Sequence, residues 1–113
     1  MKKNMLNQTV IVGRIVNIES EKETNKGMVT LAVPRSYKNT EGEYDTDFIP
    51  CVLYNGIAQN VLEYCKVGDL VGIKGRIQTR EIEQEDDVIK FVEVVAEKVT
   101  FLSTSSRKEE DGE

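Results

Sequence analysis

The chain has 113 residues, 39% of them hydrophobic and 31% charged, the size and balance of one ordinary soluble globular domain with no room for a second core. Without a single histidine, a Ser-His-Asp or Cys-His relay, a histidine general base and a histidine metal ligand are all excluded. Fifteen basic against 20 acidic residues leave a formal net charge of -5, so any polyanion must be met by basic residues gathered on one face rather than by diffuse attraction.

Lys2 and Lys3 open an arm over residues 1–6, but Asn4, Asn7, Gln8, Gly13 and Arg14 interrupt the chain before any apolar run reaches the length of a signal peptide. A cytoplasmic protein is expected. Val10 to Ile18 is rich in β-branched residues and predicts a first strand, bent at Gly13. A polar turn from Glu19 to Gly27 leads into a second strand, Met28 to Val33, and the two form a hairpin. Tyr37 to Asp47, with Asn39, Gly42 and Asp45, reads as a long excursion of the kind that carries function, before a third strand from Phe48 to Tyr54. One helix comes next, from Gly56 to Cys65, with Ile57, Val61, Leu62 and Cys65 at helical spacing, Asn55 as its cap and Gly68 closing the turn after it. A fourth strand from Leu70 to Glu81, an acidic tip from Glu83 to Asp87 and a fifth strand from Val88 to Leu102 complete the domain. Residues 103–113, without apolar content, predict a disordered acidic tail. Three strands, a helix and two strands match an all-β, five-stranded Greek-key barrel of the OB type, although the order alone also permits other α+β sheets.

Successive side chains on a strand point to opposite faces. On the third strand Ile49, Cys51 and Leu53 read as core, which turns Phe48 and Tyr54 outward with Pro50 and Val52. On the fourth, Val71, Ile73 and Ile77 read as core, and Lys74, Arg76, Gln78 and Arg80 form an outward basic stripe. Rings beside a basic track suit single-stranded nucleic acid, because bases stack on rings whatever their sequence while cations follow the phosphates. The same rings also fit a subunit interface or packing under a loop, and the same stripe a solvated face paired with acids. Val10, Val12 and Val16 against Ile11 and Ile15 make both faces of the first strand apolar, which signals either self-association or cover by the arm or the helix. Cys51 and Cys65, with thirteen residues between them, fit neither a Cys-x-x-Cys redox pair nor a structural zinc site and read as free buried thiols. The acids from Glu81 to Asp87 read as a solvated tip, with a divalent-metal site as the alternative. Gly68, Gly72 and Gly75 lack the spacing of a phosphate-binding loop. Nothing points to catalysis or to a cofactor.

Over residues 7–102 the sequence resembles the bacterial single-stranded DNA-binding proteins. The resemblance rests on NQTVIVGRI (Asn7 to Ile15), on TLAVPRSYKNTEGEYDTDFIPCVLYNGIAQNVLEYCKVGDLVGIKGRIQTR (Thr30 to Arg80) and on VEVVAEKVTFL (Val92 to Leu102). It implies an OB-fold that coats single-stranded DNA without sequence preference in replication, repair or recombination, as a homotetramer in the cytoplasm at the nucleoid. By position it assigns base stacking to Tyr37, Phe48 and Tyr54, and phosphate contacts to Arg35, Lys38, Lys74, Arg76 and Arg80. The sequence departs from the family pattern at Ile82, where a stacking aromatic is usual, at Ile49, where histidine is usual, and in its short segment from Val16 to Lys26. The Gly/Pro/Gln-rich linker and the acidic tip ending in hydrophobic residues are not matched either, which puts recruitment of replication and repair proteins in doubt. Two other readings stand beside coating: an OB-fold protein-interaction module of replication restart, like primosomal replication protein N, and a metal-dependent nuclease built on the acidic cluster.

Overall fold

A computed structural model describes residues 5–104, so most of the arm and residues 105–113 of the predicted tail lie outside the described residues. Five strands, β1 (Thr9–Glu21), β2 (Lys26–Lys38), β3 (Tyr44–Tyr54), β4 (Leu70–Gln84) and β5 (Asp87–Ser103), close into a barrel in the order β1-β2-β3-β5-β4. A helix, α1 (Asn55–Tyr64), stands between β3 and β4, as the element order predicts. Ser103, expected in the tail, is the last residue of β5.

The barrel closes because β1 serves two partners. Thr9 to Arg14 pair with β4 and Arg14 to Glu21 with β2, and a register shift between Ile15 and Asn17 inserts Val16 as an extra residue. A bulge of this kind bends and twists a strand, as carrying it from one side of a barrel to the other requires. Gly13 sits at that crossing, where a Cβ would come within 2.9 Å of the Ala32 carbonyl oxygen and of Val33 Cγ2. The turn after the helix is tied to the same place. Gly68, at φ 103°, donates its N–H to the Ile15 carbonyl (2.8 Å), and Ile15 donates to that of Asp69 (2.9 Å).

Two expected loops are shorter than the sequence suggests. β1 and β2 extend to either side of a single 3-10 turn at Lys22–Thr24. The excursion placed at Tyr37 to Asp47 is mostly strand: Tyr37 and Lys38 belong to β2 and Tyr44 to Asp47 to β3, leaving a loop over residues 39–43. Asn39 organises that loop, its Oδ1 accepting from the N–H groups of Glu41 and Glu43 at 2.9 Å each. One polar side chain thus replaces the missing ladder bonds, and a run that looks like irregular chain becomes a closed hairpin. Asn55 does not cap α1 with its side chain. It takes φ 51°, a conformation asparagine tolerates, and its N–H donates to the Asn25 carbonyl at 2.8 Å.

The core comprises Ile15, Val29, Leu31, Cys51, Leu53, Val71, Ile73, Val94 and Ala96, closed at one end by Ala58 and Val61 of α1. Leu62, expected there, is exposed and Ala58 takes its place, since a short side chain lets the helix lie close. Ile77, also expected in the core, is 44% exposed, because β4 runs past the start of β1 there. Asn7 covers the gap, accepting from the Ile77 N–H (2.8 Å) and donating to its carbonyl (2.7 Å). Val52, expected outward, is buried beside Val95 where β3 meets β5.

A Cβ at Gly75 would collide with the Val95 carbonyl oxygen and lie 3.0 Å from the Val95 carbonyl carbon, both of them backbone atoms that cannot swing aside. Gly75→Ala is expected to cost at least about 3 kcal/mol, a fall in Tm of roughly 10 °C or more; calorimetry showing an unchanged Tm would mean the close approach is dispensable. Burial also pushes the Cys51 thiol up to about 12 from 9.0. The unfolded chain then loses this proton before the folded one, so the contribution is complete below pH 9.0 and is lost as pH rises towards 12. Urea midpoints should fall across that range, and fall less in Cys51→Ala.

Candidate nucleic-acid interface

β3 keeps one uninterrupted alternation from Tyr44 to Tyr54. Its odd residues Ile49, Cys51 and Leu53 turn inward; of its even residues Tyr44, Thr46, Phe48 and Tyr54 are exposed, Pro50 is half-buried, and Val52 is covered where β5 joins. Phe48 is 63% exposed and stands opposite Ala32, too small to cover the ring. Tyr54, 38% exposed at the other end, stands opposite Lys26, whose Nζ lies 5.9 Å from the ring centroid. Tyr44, 57% exposed, stands opposite Lys38, whose Nζ lies 5.8 Å from its ring. Tyr37 is exposed in the irregular stretch of β2 between Pro34 and Lys38. Phe48 and Tyr54, six residues apart, are about 20 Å apart along the strand at ~3.3 Å per residue.

The cations fall into two groups. Three arginines are already engaged by the protein's own carboxylates. Arg35 makes a fork to Asp47 (Nη2 to Oδ1 2.8 Å, Nε to Oδ2 3.1 Å) and lies 3.8 Å from Asp45. Both partners are odd residues of β3, so Arg35 works on the side away from Phe48. The hydrogen bond and charge of Asp47 raise the Arg35 pKa above its usual value, and the Arg35 hydrogen bond holds the Asp47 carboxyl below its own. Arg76 donates to Gln78 Oε1 (3.1 Å) and lies 3.5 Å from Glu97; Gln78 in turn donates to Glu93 (2.8 Å). Arg80 completes this ladder, with Nε 3.7 Å from Glu93 Oε1 and its guanidinium carbon 5.5 Å from the Phe91 ring centroid. Glu93 is only 2% exposed. The Arg80 Nε is buried without a hydrogen-bond partner, and its ion pair with the buried Glu93 is what holds the guanidinium in place.

Lysines form the second group. Lys26, Lys38 and Lys74 make no ion pair among the described residues. Lys26 and Lys38 lie over the outward rings, whereas Lys74 stands between Val10 of β1 and Lys98 of β5. Arg80 lines a depression of about 330 Å³ with Glu19 and Glu21 of β1 and with Met28 and Lys26 of β2, the lysine that lies over Tyr54. The structure therefore sets Lys26 beside Tyr54 and Lys38 beside Tyr44 at the two ends of β3 with Phe48 between them, joins Arg80 to Lys26 through the shared depression, and engages Arg35 with Asp47.

Sequence reasoning missed Lys26, Tyr44, Phe91 and Glu93. The alternation Tyr-x-Thr-x-Phe-x-Pro-x-Val-x-Tyr over residues 44–54 could have revealed Tyr44; the other three need the pairings 26↔54, 80↔91 and 78↔93, which no within-strand pattern contains. At the acidic tip Glu81, Glu83, Glu85, Asp86 and Asp87 are all exposed, and no group of three or more potential metal ligands comes together among the described residues. No helix of the described residues is long and apolar enough to cross a membrane.

A closed five-stranded barrel with outward rings on β3 and cations beside them defines an OB-fold of the nucleic-acid-binding kind. Comparison with known proteins agrees: residues 6–102 match the model of the Single-strand binding protein family, and the chain belongs to that family. It is 42% identical over 109 residues to Single-stranded DNA-binding protein B of Bacillus subtilis (strain 168), covering 92% of this chain and 96% of that one. It is 45% identical over 103 residues to Single-stranded DNA-binding protein 2 of Staphylococcus aureus (strain Mu50), covering 87% of this chain and 73% of that one. Among solved structures, the Plasmodium falciparum SSB complex with ssDNA shares the fold at a TM-score of 0.74 and 21% identity, covering 91% of this chain and all of that one.

Proposed function

We propose that the protein binds and coats single-stranded DNA without sequence preference, in replication, repair or recombination. The observation that carries this reading is Phe48, a phenylalanine ring left 63% exposed in mid-strand on the outer face of β3, in line with Tyr54. An uncovered apolar ring leaves unfavourable surface in water, and a stacked base removes it while tolerating any sequence. Membership of the family and the names of its relatives support the same reading. Phe48, Tyr54 and Tyr37 stack bases; Lys38, Lys74, Arg76 and Arg80 meet phosphates, with Arg35 available only when it leaves Asp47. Binding proceeds by capture and stacking alone, with neither catalysis nor a cofactor.

Self-association accompanies binding. Val10, Val12 and Val16 point outward from β1 and are exposed, a row of β-branched side chains that a second copy would cover. A homotetramer is the assembly that the resemblance implies, and the nucleoid of the cytoplasm the place of action. Recruitment of replication and repair proteins is not part of this reading.

Anisotropy of labelled oligo-dT at low and near-physiological salt, with a duplex of equal length as control, tests the function. Tight, salt-weakened binding to the single strand alone supports coating; no binding even at low salt would favour the protein-interaction module. Phe48→Ala is expected to lose roughly 1–3 kcal/mol at every salt concentration. Arg80→Ala should also flatten the salt dependence by about one unit or less, less because Glu93 already offsets part of its charge. Equal slopes in the two variants would sink this division of roles.

A further inference from the structure

We propose that Tyr44 and Lys38 form a further nucleotide subsite, one that extends the stacking track past Phe48 onto the hairpin of residues 39–43; this rests on the reading of the outer face of β3 as the interface for single-stranded DNA. The register shift between Pro34 and Lys38 inserts residues in β2 and none in β3, so Tyr44 stays in phase with Phe48 and Tyr54, and the three rings, with the covered Val52 between the last two, span about 33 Å of strand at ~3.3 Å per residue. Tyr44 is 57% exposed, close to Phe48 and more open than Tyr54. Lys38, its cross-strand partner, lies 5.8 Å from the ring centroid and makes no ion pair among the described residues. Lys26 and Tyr54 repeat the arrangement at the opposite end of the strand, with 5.9 Å between ammonium and ring. Each end of the track thus pairs a ring for a base with a cation that makes no ion pair among the described residues, for the neighbouring phosphate. Asn39 holds the hairpin that carries the outer pair, through its two side-chain bonds to Glu41 and Glu43, so the ring is presented by an ordered turn.

The test measures affinity for oligo-dT of graded length with the wild type, Tyr44→Val, Tyr44→Phe and Lys38→Gln, and with Phe48→Ala as a control. Valine keeps the strand propensity and removes the ring. Tyr44→Val is expected to lose roughly five- to tenfold on long oligonucleotides and nothing on the shortest that bind, while Tyr44→Phe stays near the wild type. Lys38→Gln should flatten the salt dependence by about one unit. If Tyr44→Val matches the wild type at every length while Phe48→Ala weakens binding, the subsite is overturned and coating stands. A uniform loss at all lengths together with a lowered Tm assigns Tyr44 to hairpin stability and overturns it too. If the wild type itself does not bind, the reading of the whole face falls, and the subsite with it.

Discussion

The parallel join between β3 and β5 is the constraint on which the rest of the molecule depends. It spans only Cys51↔Val94 and Val52↔Val95, yet it turns an open meander into a closed barrel. Two residue pairs supply few hydrogen bonds, so β5 must be held from its other side by the long ladder to β4, and that ladder must bend to deliver it. Register shifts between Lys74 and Gly75 and between Leu70 and Val71 provide the bend, and the absence of a side chain at Gly75 lets the Val95 backbone pass against β4. Once closed, the barrel fixes the two faces of β3: the same strand that sends Cys51 and Leu53 into the core holds Tyr44, Phe48 and Tyr54 outward on a rigid support. Placing the rings on a barrel strand limits the ordering cost of meeting a flexible ligand to the ligand itself.

Charge is organised on the same principle of local opposition. An acidic protein that binds a polyanion must keep its carboxylates from repelling the ligand, and here several are engaged by arginines. Asp47 and Asp45 hold Arg35, Glu97 meets Arg76 and the buried Glu93 faces Arg80. Such pairing makes this face less positive than the count of its cations implies, so in the proposed reading stacking carries more of the binding than phosphate contacts do. It also positions the arginines, since a guanidinium already drawn to one side of a groove has less freedom to lose. The lysines over Tyr44 and Tyr54, like Lys74, make no ion pair among the described residues.

Much of this is legible in the residues alone. The alternation in β3 separates Cys51 and Leu53 from Phe48 and Tyr54, the helical spacing of Ile57 and Val61 marks α1, and the element order points to the barrel. The failures share a cause. Tyr37, Lys38 and Tyr44 read as loop because Asn39, Gly42 and Asp45 are turn formers, but one asparagine side chain closes that hairpin in a short loop and strand continues on both sides. Ile77 reads as core because its place in the alternation is inward, but no strand covers it beyond the start of β1.

By itself, the sequence determined most of the alternation on the third and fourth strands, the exclusion of histidine chemistry and the rings Tyr37, Phe48 and Tyr54 as candidates, because alternation and composition are local properties. Only the tertiary structure decided which cations stand by those rings: that Lys26 lies over Tyr54 and Lys38 over Tyr44, that Arg35 is turned to Asp47, and that Glu93 is buried beneath Arg80. The physical reason is register. Which residue stands opposite which is set by turn lengths, bulges and the curl of the barrel, and a one-residue change in any of them gives every ring a different neighbour while leaving the alternation along the strand untouched.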